Sequence, residues 1–233
     1  MADIDPRISK NLTAQNDEYY NSIEDQHSKG AISLTIGAKD YQEAMHECIS
    51  EKKSQLFKKA AHWYEISAQL GNGQAATNLG YMYQFGRLGT KDMEEAARWY
   101  EIGLGLGNEE ACYKLGDCYY YASGKPHDAE QAYQWYCKAN DLARKHCDYK
   151  NPEDNAVIGS IYLRLATSIE HGAGDFENED RLAAAYQLYK SAEQQLRAAE
   201  YGGITWYRKQ LEKAREGVQR TEQYRSPDEV FDF

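Results

Sequence analysis

The feature that most constrains this chain is a spacing. Trp63, Trp99 and Trp135 stand 36 residues apart, and each is followed by a tyrosine: Tyr64, Tyr100 and Tyr136. Gly71-Asn72 recurs as Gly107-Asn108, Leu79-Gly80 as Leu115-Gly116, Ala75 as Ala111, Tyr83 as Tyr119, and Asp92 as Asp128. Ala60, Ala96 and Ala132 each precede a tryptophan by three residues. Aligned without a gap, 14 of 36 positions of the two units are identical. Self-similarity with a period of about 20–50 residues signals stacked supersecondary units rather than one globular core.

Each period holds two helical patterns. Residues 92–106 place Ala96, Trp99, Tyr100 and Leu104 on one face, the spacing of an amphipathic helix. The pattern stops at Gly107-Asn108, where glycine supplies a left-handed cap. Residues 109–121 carry Ala111, Leu115, Cys118 and Tyr119 on a second face, and a turn rich in Gly, Ser, Pro and Asp follows. Recurrent small residues let helices approach closely, and large aromatics fill the space between pairs. One such hairpin cannot bury its own apolar face, so stacking is what stabilises it.

The pattern A-x-x-W-Y-x6-G-N-x-x-A-x3-L-G-x-x-Y, followed by a Gly-rich turn and Asp, resembles the Sel-one-like repeat, a relative of the tetratricopeptide repeat. Two units match closely and partial units flank them. The resemblance implies an all-α fold, a right-handed α/α superhelical solenoid of helix-turn-helix repeats whose concave face binds other proteins. It implies a scaffold or adaptor rather than an enzyme. If the first helices line that face, His62, Glu65, Arg98, Glu101, Gln134 and Lys138 point outward by helical phase and are the candidate partner-binding residues. A disulfide-rich branch of the family pairs cysteines within each unit. Here the five cysteines are odd in number and recur at no fixed spacing. Cys112 and Cys118 replace Ala76 and Met82 and read as core fillers, which implies reduced thiols and a cytoplasmic protein.

The chain divides on this reading into an N-terminal helical region with a degenerate repeat or cap (1–52), about four repeats with the third enlarged (53–203), a C-terminal capping helix (204–224) and an acidic tail (225–233). Residues 1–12 read as frayed and 13–29 as a polar helix ended by Gly30. Residues 31–40 are open between helix and loop, and Lys39–Ala44 resembles the start of a first helix. From Tyr41 to Leu70 one long helix or two with a bend near Ser50–Ser54 fit equally. After Trp135 the Gly-Asn is missing. That helix runs on to about Tyr149 and stops at Asn151-Pro152, and a second occupies 153–170. Residues 180–196 restart the first-helix pattern. Trp135 and Leu188 are 53 residues apart, 17 more than the period. Gly202-Gly203 introduces a last helix, 204–224, with Trp206, Leu211, Ala214 and Val218 on one stripe. The tail, Ser226 to Phe233, reads as a disordered end or an acidic-aromatic docking peptide.

Net charge is −10, which argues against nucleic acid or an anionic membrane as partner, because phosphate recognition needs clustered Lys and Arg. It suits a partner with a basic surface. A sharper version of the scaffold reading is an immunity or inhibitor protein that occludes a basic toxin or enzyme. No signal peptide and no run of 18 apolar residues is evident in the sequence. Chemistry is sparse. His46-Glu47-Cys48 lacks a second histidine at position 50, so no metal or cofactor is expected there. Gly103-x-Gly105-x-Gly107 follows a helix pattern, not a strand, and is no phosphate loop. Each of Gly103 and Gly105 should cost the helix about 1 kcal/mol relative to alanine. His171 and Asp175 flank a glycine turn. No catalytic residue is assigned, and a hydrolase carried on the repeat scaffold is the alternative. The sequence leaves oligomeric state open.

Overall fold

Side-chain caps start most of the helices in the computed structural model, which describes residues 20 and 22–225, with backbone only at 178 and 179. The expectations for residues 1–12, for most of the helix over 13–29 and for the tail lie outside the described residues. Among the described residues the elements are α1 (Gln26–His46), α2 (Ser50–Gln69), α3 (Gly73–Gln84), α4 (Met93–Gly105), α5 (Glu109–Tyr120), α6 (Ala129–His146), α7 (Pro152–Glu170), α8 (Asn178–Tyr201), α9 (Arg208–Thr221) and a 3-10 turn, Glu222–Tyr224. The all-α class and the helix-turn-helix unit hold. The chain divides into two units, Met1–Leu106 and Gly107–Phe233. That division falls inside the array expected over 53–203, and the expected boundary at residue 52 falls inside α2.

The recurrent motifs are backbone devices. Gly71 and Gly107 follow α2 and α4 with φ of +90 and +82, values that only glycine adopts freely. The next residue starts the following helix: Asn72 accepts from Ala75 N at 3.1 Å and Asn108 from Ala111 N at 2.8 Å. Asp92 and Asp128 do the same at the other turn, accepting from Glu95 N at 2.9 Å and Gln131 N at 2.8 Å. Each such cap is worth about 1 kcal/mol. Where the period breaks, Asn151 takes over, accepting from Glu153 N at 2.9 Å with Pro152 at the first helical position. α6 stops at His146, short of the expected Tyr149, with Cys147 after it already extended.

The packing unit is a tyrosine ring lying on a glycine. A Cβ at Gly80 would stand 2.3 Å from the Tyr100 ring, and one at Gly116 2.5 Å from Tyr136. Ala60, Ala75, Leu79, Ala96, Ala111 and Ala132 are fully buried around these seats and Leu115 nearly so, while Trp63, Trp99 and Trp135 are half-buried. The same seat corrects the reading of the N-terminal region. Gly30 does not end a helix. α1 runs through it and through Gly37, whose Cβ would lie 2.7 Å from Tyr64. Ser67 Oγ donates to the Gly30 carbonyl at 2.7 Å. These glycines mark close approach, not a stop. Lys39–Ala44 is thus the end of a second-type helix, not the start of a first. The break before α2 falls at Glu47–Ile49, ahead of the expected Ser50–Ser54, where Glu47 accepts from Ile49 N at 2.9 Å and pairs with Lys52 at 2.7 Å.

Candidate functional site

The second unit carries a groove of about 490 Å³. Tyr120 and Tyr121 at the end of α5, Arg164 and Thr167 on α7, Tyr189 on α8, and Trp206, Lys209, Lys213 and Arg220 from the C-terminal segment line it. Its position follows from how α9 docks. The tyrosine-on-glycine seat is reused in reverse chain order: a Cβ at Gly217 of α9 would stand 2.4 Å from the Tyr189 ring. Leu211, Ala214, Gly217 and Thr221 are buried on that side. Trp206 was expected on the same stripe. It precedes the helix, which begins at Arg208 and not Ile204, and its ring is 70% exposed at the groove.

Polar clamps fix both ends of α9. At its start the Tyr207 hydroxyl donates to Glu110 Oε1 at 3.2 Å, which also accepts from Tyr113 at 3.0 Å. Burial, with the Glu110 charge beside it, raises the Tyr207 phenol well above its ordinary pKa. At its end Arg220 donates to both Glu170 oxygens, at 2.6 and 2.7 Å, and Tyr189 donates to the same carboxylate at 2.6 Å. The Arg220 hydrogen bond holds the Glu170 carboxyl below the usual range. Lys209 and Lys213, between the clamps, are exposed and have no ion-pair partner among the described residues.

Under the groove lies a charged network. Arg164 Nε and Nη2 donate to the two Asp117 oxygens, each at 2.6 Å, in the bidentate geometry that makes such pairs strong. The guanidinium sits 4.4 Å from the Tyr113 ring centre, and Nη1 donates to the Ser160 carbonyl at 2.9 Å. Tyr136 donates to Asp117 at 3.0 Å and Lys114 lies 3.7 Å from it. Desolvation opposes the Asp117 charge, but Arg164 and Lys114 outweigh it and hold the carboxyl below its ordinary pKa. Both members of the pair are only 17% exposed. The arrangement presents fixed cations and aromatic faces.

The six candidate residues read from helical phase do not line this groove. His62, Glu65, Arg98 and Glu101 lie in the first unit, and Gln134 and Lys138 in the second. Five are exposed and Glu65 is half-buried. Arg98 pairs with Glu95 at 3.0 Å, Gln134 donates to Glu130 at 2.8 Å, and Lys138 lies 5.1 Å from the Trp135 ring centre. Gln134 and Lys138 share a shallow depression with Asp141. The tyrosines of the repeat, Tyr136 and Tyr189, reach the groove instead. Of the histidines weighed for chemistry, His46 is exposed at the end of α1, and His171 Nδ1 lies 3.0 Å from the Tyr120 hydroxyl. Among the described residues no group of three or more His, Cys, Asp or Glu could hold a metal. Sequence reasoning missed Tyr120, Tyr121, Arg164, Lys209 and Lys213. One signal was available: Arg164 is the lone charged residue in the run from Ala156 to Ile169, and such a charge needs a buried partner.

A chain of helix-turn-helix units with tyrosine-on-glycine seats is a helical repeat protein. The family model described as Sel1 repeat matches residues 53–72, 73–108 and 109–143. Sel1 repeat proteins are generally scaffolds for protein–protein interaction and are typically non-enzymatic. Among solved structures, a Sel1 repeat protein from Oxalobacter formigenes is 27% identical over 50% of this chain and 86% of its own, with a TM-score of 0.36. Cysteine rich protein B of Helicobacter pylori is 20% identical over 50% of this chain and 90% of its own, also at 0.36. The protective antigen c5321 of uropathogenic Escherichia coli is 21% identical over 84% of this chain, with a TM-score of 0.42, and this chain spans 46% of it. No curated protein matches the chain.

Proposed function

We propose that this protein is a non-enzymatic interaction module of the cytoplasm that takes an extended segment of another protein, acidic and aromatic in character, in the groove of its second unit. The observation that carries this is the groove's lining. Tyr121 and Trp206 stand 62% and 70% exposed beside two lysines that pair with nothing described. Large exposed aromatics do little for the stability of the fold, and they are among the side chains enriched at protein interfaces. The cytoplasmic setting is supported by five free cysteines, of which Cys112 and Cys147 have thiols pushed up to about 12 by burial and so resist oxidation.

The net charge of −10 favours a second reading, an immunity or inhibitor role toward a basic partner, with Glu65 and Glu101 of the first unit in the interface. The groove's own cations run against a basic occupant, so the two readings separate cleanly. Affinity capture from the native host would compare the intact chain with Lys209→Glu/Lys213→Glu and with Glu65→Lys/Glu101→Lys, each checked for helicity. A stoichiometric protein lost only with the lysine pair supports the groove. Loss only with the glutamate pair overturns it in favour of the basic partner. Turnover by the purified chain that disappears on replacing His46 or His171 would sink both in favour of a hydrolase.

A further inference from the structure

The first unit holds a pocket of its own, about 170 Å³, lined by aromatic rings from three helices. Tyr41 comes from α1, Tyr64 from α2 and Tyr81 from α3, and Asn78 and the α3 cap residue Phe85 complete the lining. Tyr64 is held there by its seat on Gly37. The Tyr41 ring centre lies 5.4 Å from that of Phe57. Tyr81 and Phe85 lie nearly parallel, with ring centres 5.9 Å apart, yet Phe85 is 50% exposed. Drug-sized ligands need about 300 Å³ or more. A pocket this small suits one compact chemical group.

The lining sets the chemistry of that group. Ring faces attract cations, and Arg87 already stands over Phe85 and Phe57, 5.9 and 5.6 Å from their centres. Asp40, one residue before Tyr41, is half-buried and makes no hydrogen bond or ion pair among the described residues. Burial raises its carboxyl above the ordinary pKa, and Lys59 only partly offsets this. Burial, with Tyr41 and Asp40 nearby, raises the Tyr64 phenol as well. A cation in the pocket would give Asp40 a counter-charge, which offsets repulsion from Arg87. A primary ammonium or a guanidinium would leave N–H groups short of acceptors, at a desolvation cost, because Asn78 Oδ1 already accepts from Gln74 Nε2 at 3.2 Å. An alkylated ammonium carries the charge with no N–H to satisfy. The second unit shows the same pairing with a cation of its own: Arg164 lies 4.4 Å from the Tyr113 ring centre, with Asp117 as counter-charge. The pocket of the first unit has the rings and a nearby carboxylate, and no cation lines it. We infer that this pocket is a site for a quaternary ammonium group, held by the faces of Tyr41, Tyr64, Tyr81 and Phe85 and by the charge of Asp40. The site is independent of the groove in the second unit.

The test follows the methyl proton resonances of small probes as the full-length chain is added. The probes are choline, its neutral carbon isostere with a tert-butyl group in place of trimethylammonium, and a peptide carrying trimethyllysine beside its unmodified twin. Methyl groups held over ring faces shift upfield, so a saturable upfield shift is expected for choline or for the trimethyllysine peptide. The neutral isostere and the unmodified peptide should bind about tenfold more weakly. Phe85→Leu, at an exposed ring, and Asp40→Asn, each checked for helicity, should weaken binding about threefold to tenfold. Choline bound at least as tightly as the peptide supports the site and makes its ligand a free small molecule. Tighter binding of the trimethyllysine peptide supports it and makes the ligand a modified side chain of a partner. No saturable shift with any probe overturns the site. Equal binding of choline and its neutral isostere does so too, as does binding unchanged in both variants.

Discussion

The seats at Gly80–Tyr100 in the first unit and Gly116–Tyr136 in the second are the same backbone device with different polar fillings. In the first, the tyrosine hydroxyl donates to the neutral side chain of Gln84 at 2.5 Å, and the Tyr81 ring packs edge-on against Tyr100. In the second, position 117 replaces Tyr81 by Asp, position 120 replaces Gln84 by Tyr, and the hydroxyl donates to a carboxylate already gripped by Arg164. The seat builds the fold. What surrounds the hydroxyl is free to change, and where it becomes charged the aromatic released to position 120 lines the groove. Repetition and specialisation thus occupy different atoms of the same residue pair.

The most forceful way to break this comparison is to remove one partner of the ion pair. Arg164→Met should cost about 3–5 kcal/mol in urea unfolding, because Asp117 is left charged and poorly hydrated. The corresponding Gln84→Met in the first unit should cost only about 0.5–1.5 kcal/mol. Equal losses would mean that the network is ornamental. The seats themselves should respond alike. Gly80→Ala and Gly116→Ala each force a ring to move and should destabilise by about 1–3 kcal/mol, and a difference larger than that range would show that the device is not shared.

Acid should sharpen the contrast. Asp117 and Glu170 have depressed folded pKa values. Their stabilisation is present above the unfolded carboxyl pKa of about 4 and is lost as pH falls through the folded values. Amide hydrogen exchange, corrected for intrinsic rates, should therefore show protection in α7 and α9 fading below about pH 4 before that in α3. Protection that fades in α3 first would contradict the assignment. The smallest effect is at the turns. Ala122 has φ +51 where the preceding unit has Gly86 at +64. Ala122→Gly should stabilise by roughly 1 kcal/mol and Gly86→Ala should do the reverse. Thermal melts that move the same way for both would show that the turns are not equivalent.

What the sequence made legible follows from chemistry that only a few residues can perform. A left-handed cap needs glycine, an N-cap needs Asn or Asp, and a ring pressed on a backbone needs glycine beneath it. Gly71-Asn72, Asp92 and Leu79-Gly80 therefore announce the repeat. The same glycine signal misled at Gly30, because close approach and helix termination use one residue for opposite ends, and only the partner, Ser67 on α2 and Leu70 just after it, distinguishes them. The groove was not legible because it is assembled outside the period. Trp206, Lys209 and Lys213 come from the last segment, which has no counterpart in the repeats. Their meeting with Tyr120 and Tyr121 is a matter of how α9 docks. Helical phase gave outward positions such as Arg98 and Gln134 but could not say which outward surface is concave.

The reversed seat at Gly217 and Tyr189 bears on how such a chain could lengthen. In the regular units a glycine comes first and the following helix brings its ring to it, so each addition at the carboxyl side would consume a glycine already waiting. Here the final ring has been met from behind, by a helix that comes after it. Tandem duplication inserted downstream of Tyr201 would find that docking place taken, and would have to evict α9 together with its Glu110 and Glu170 anchors. Gene duplication or engineered extension is thereby steered upstream, between Asp92 and Asp128, where one period can be copied in phase and every ring still finds its glycine.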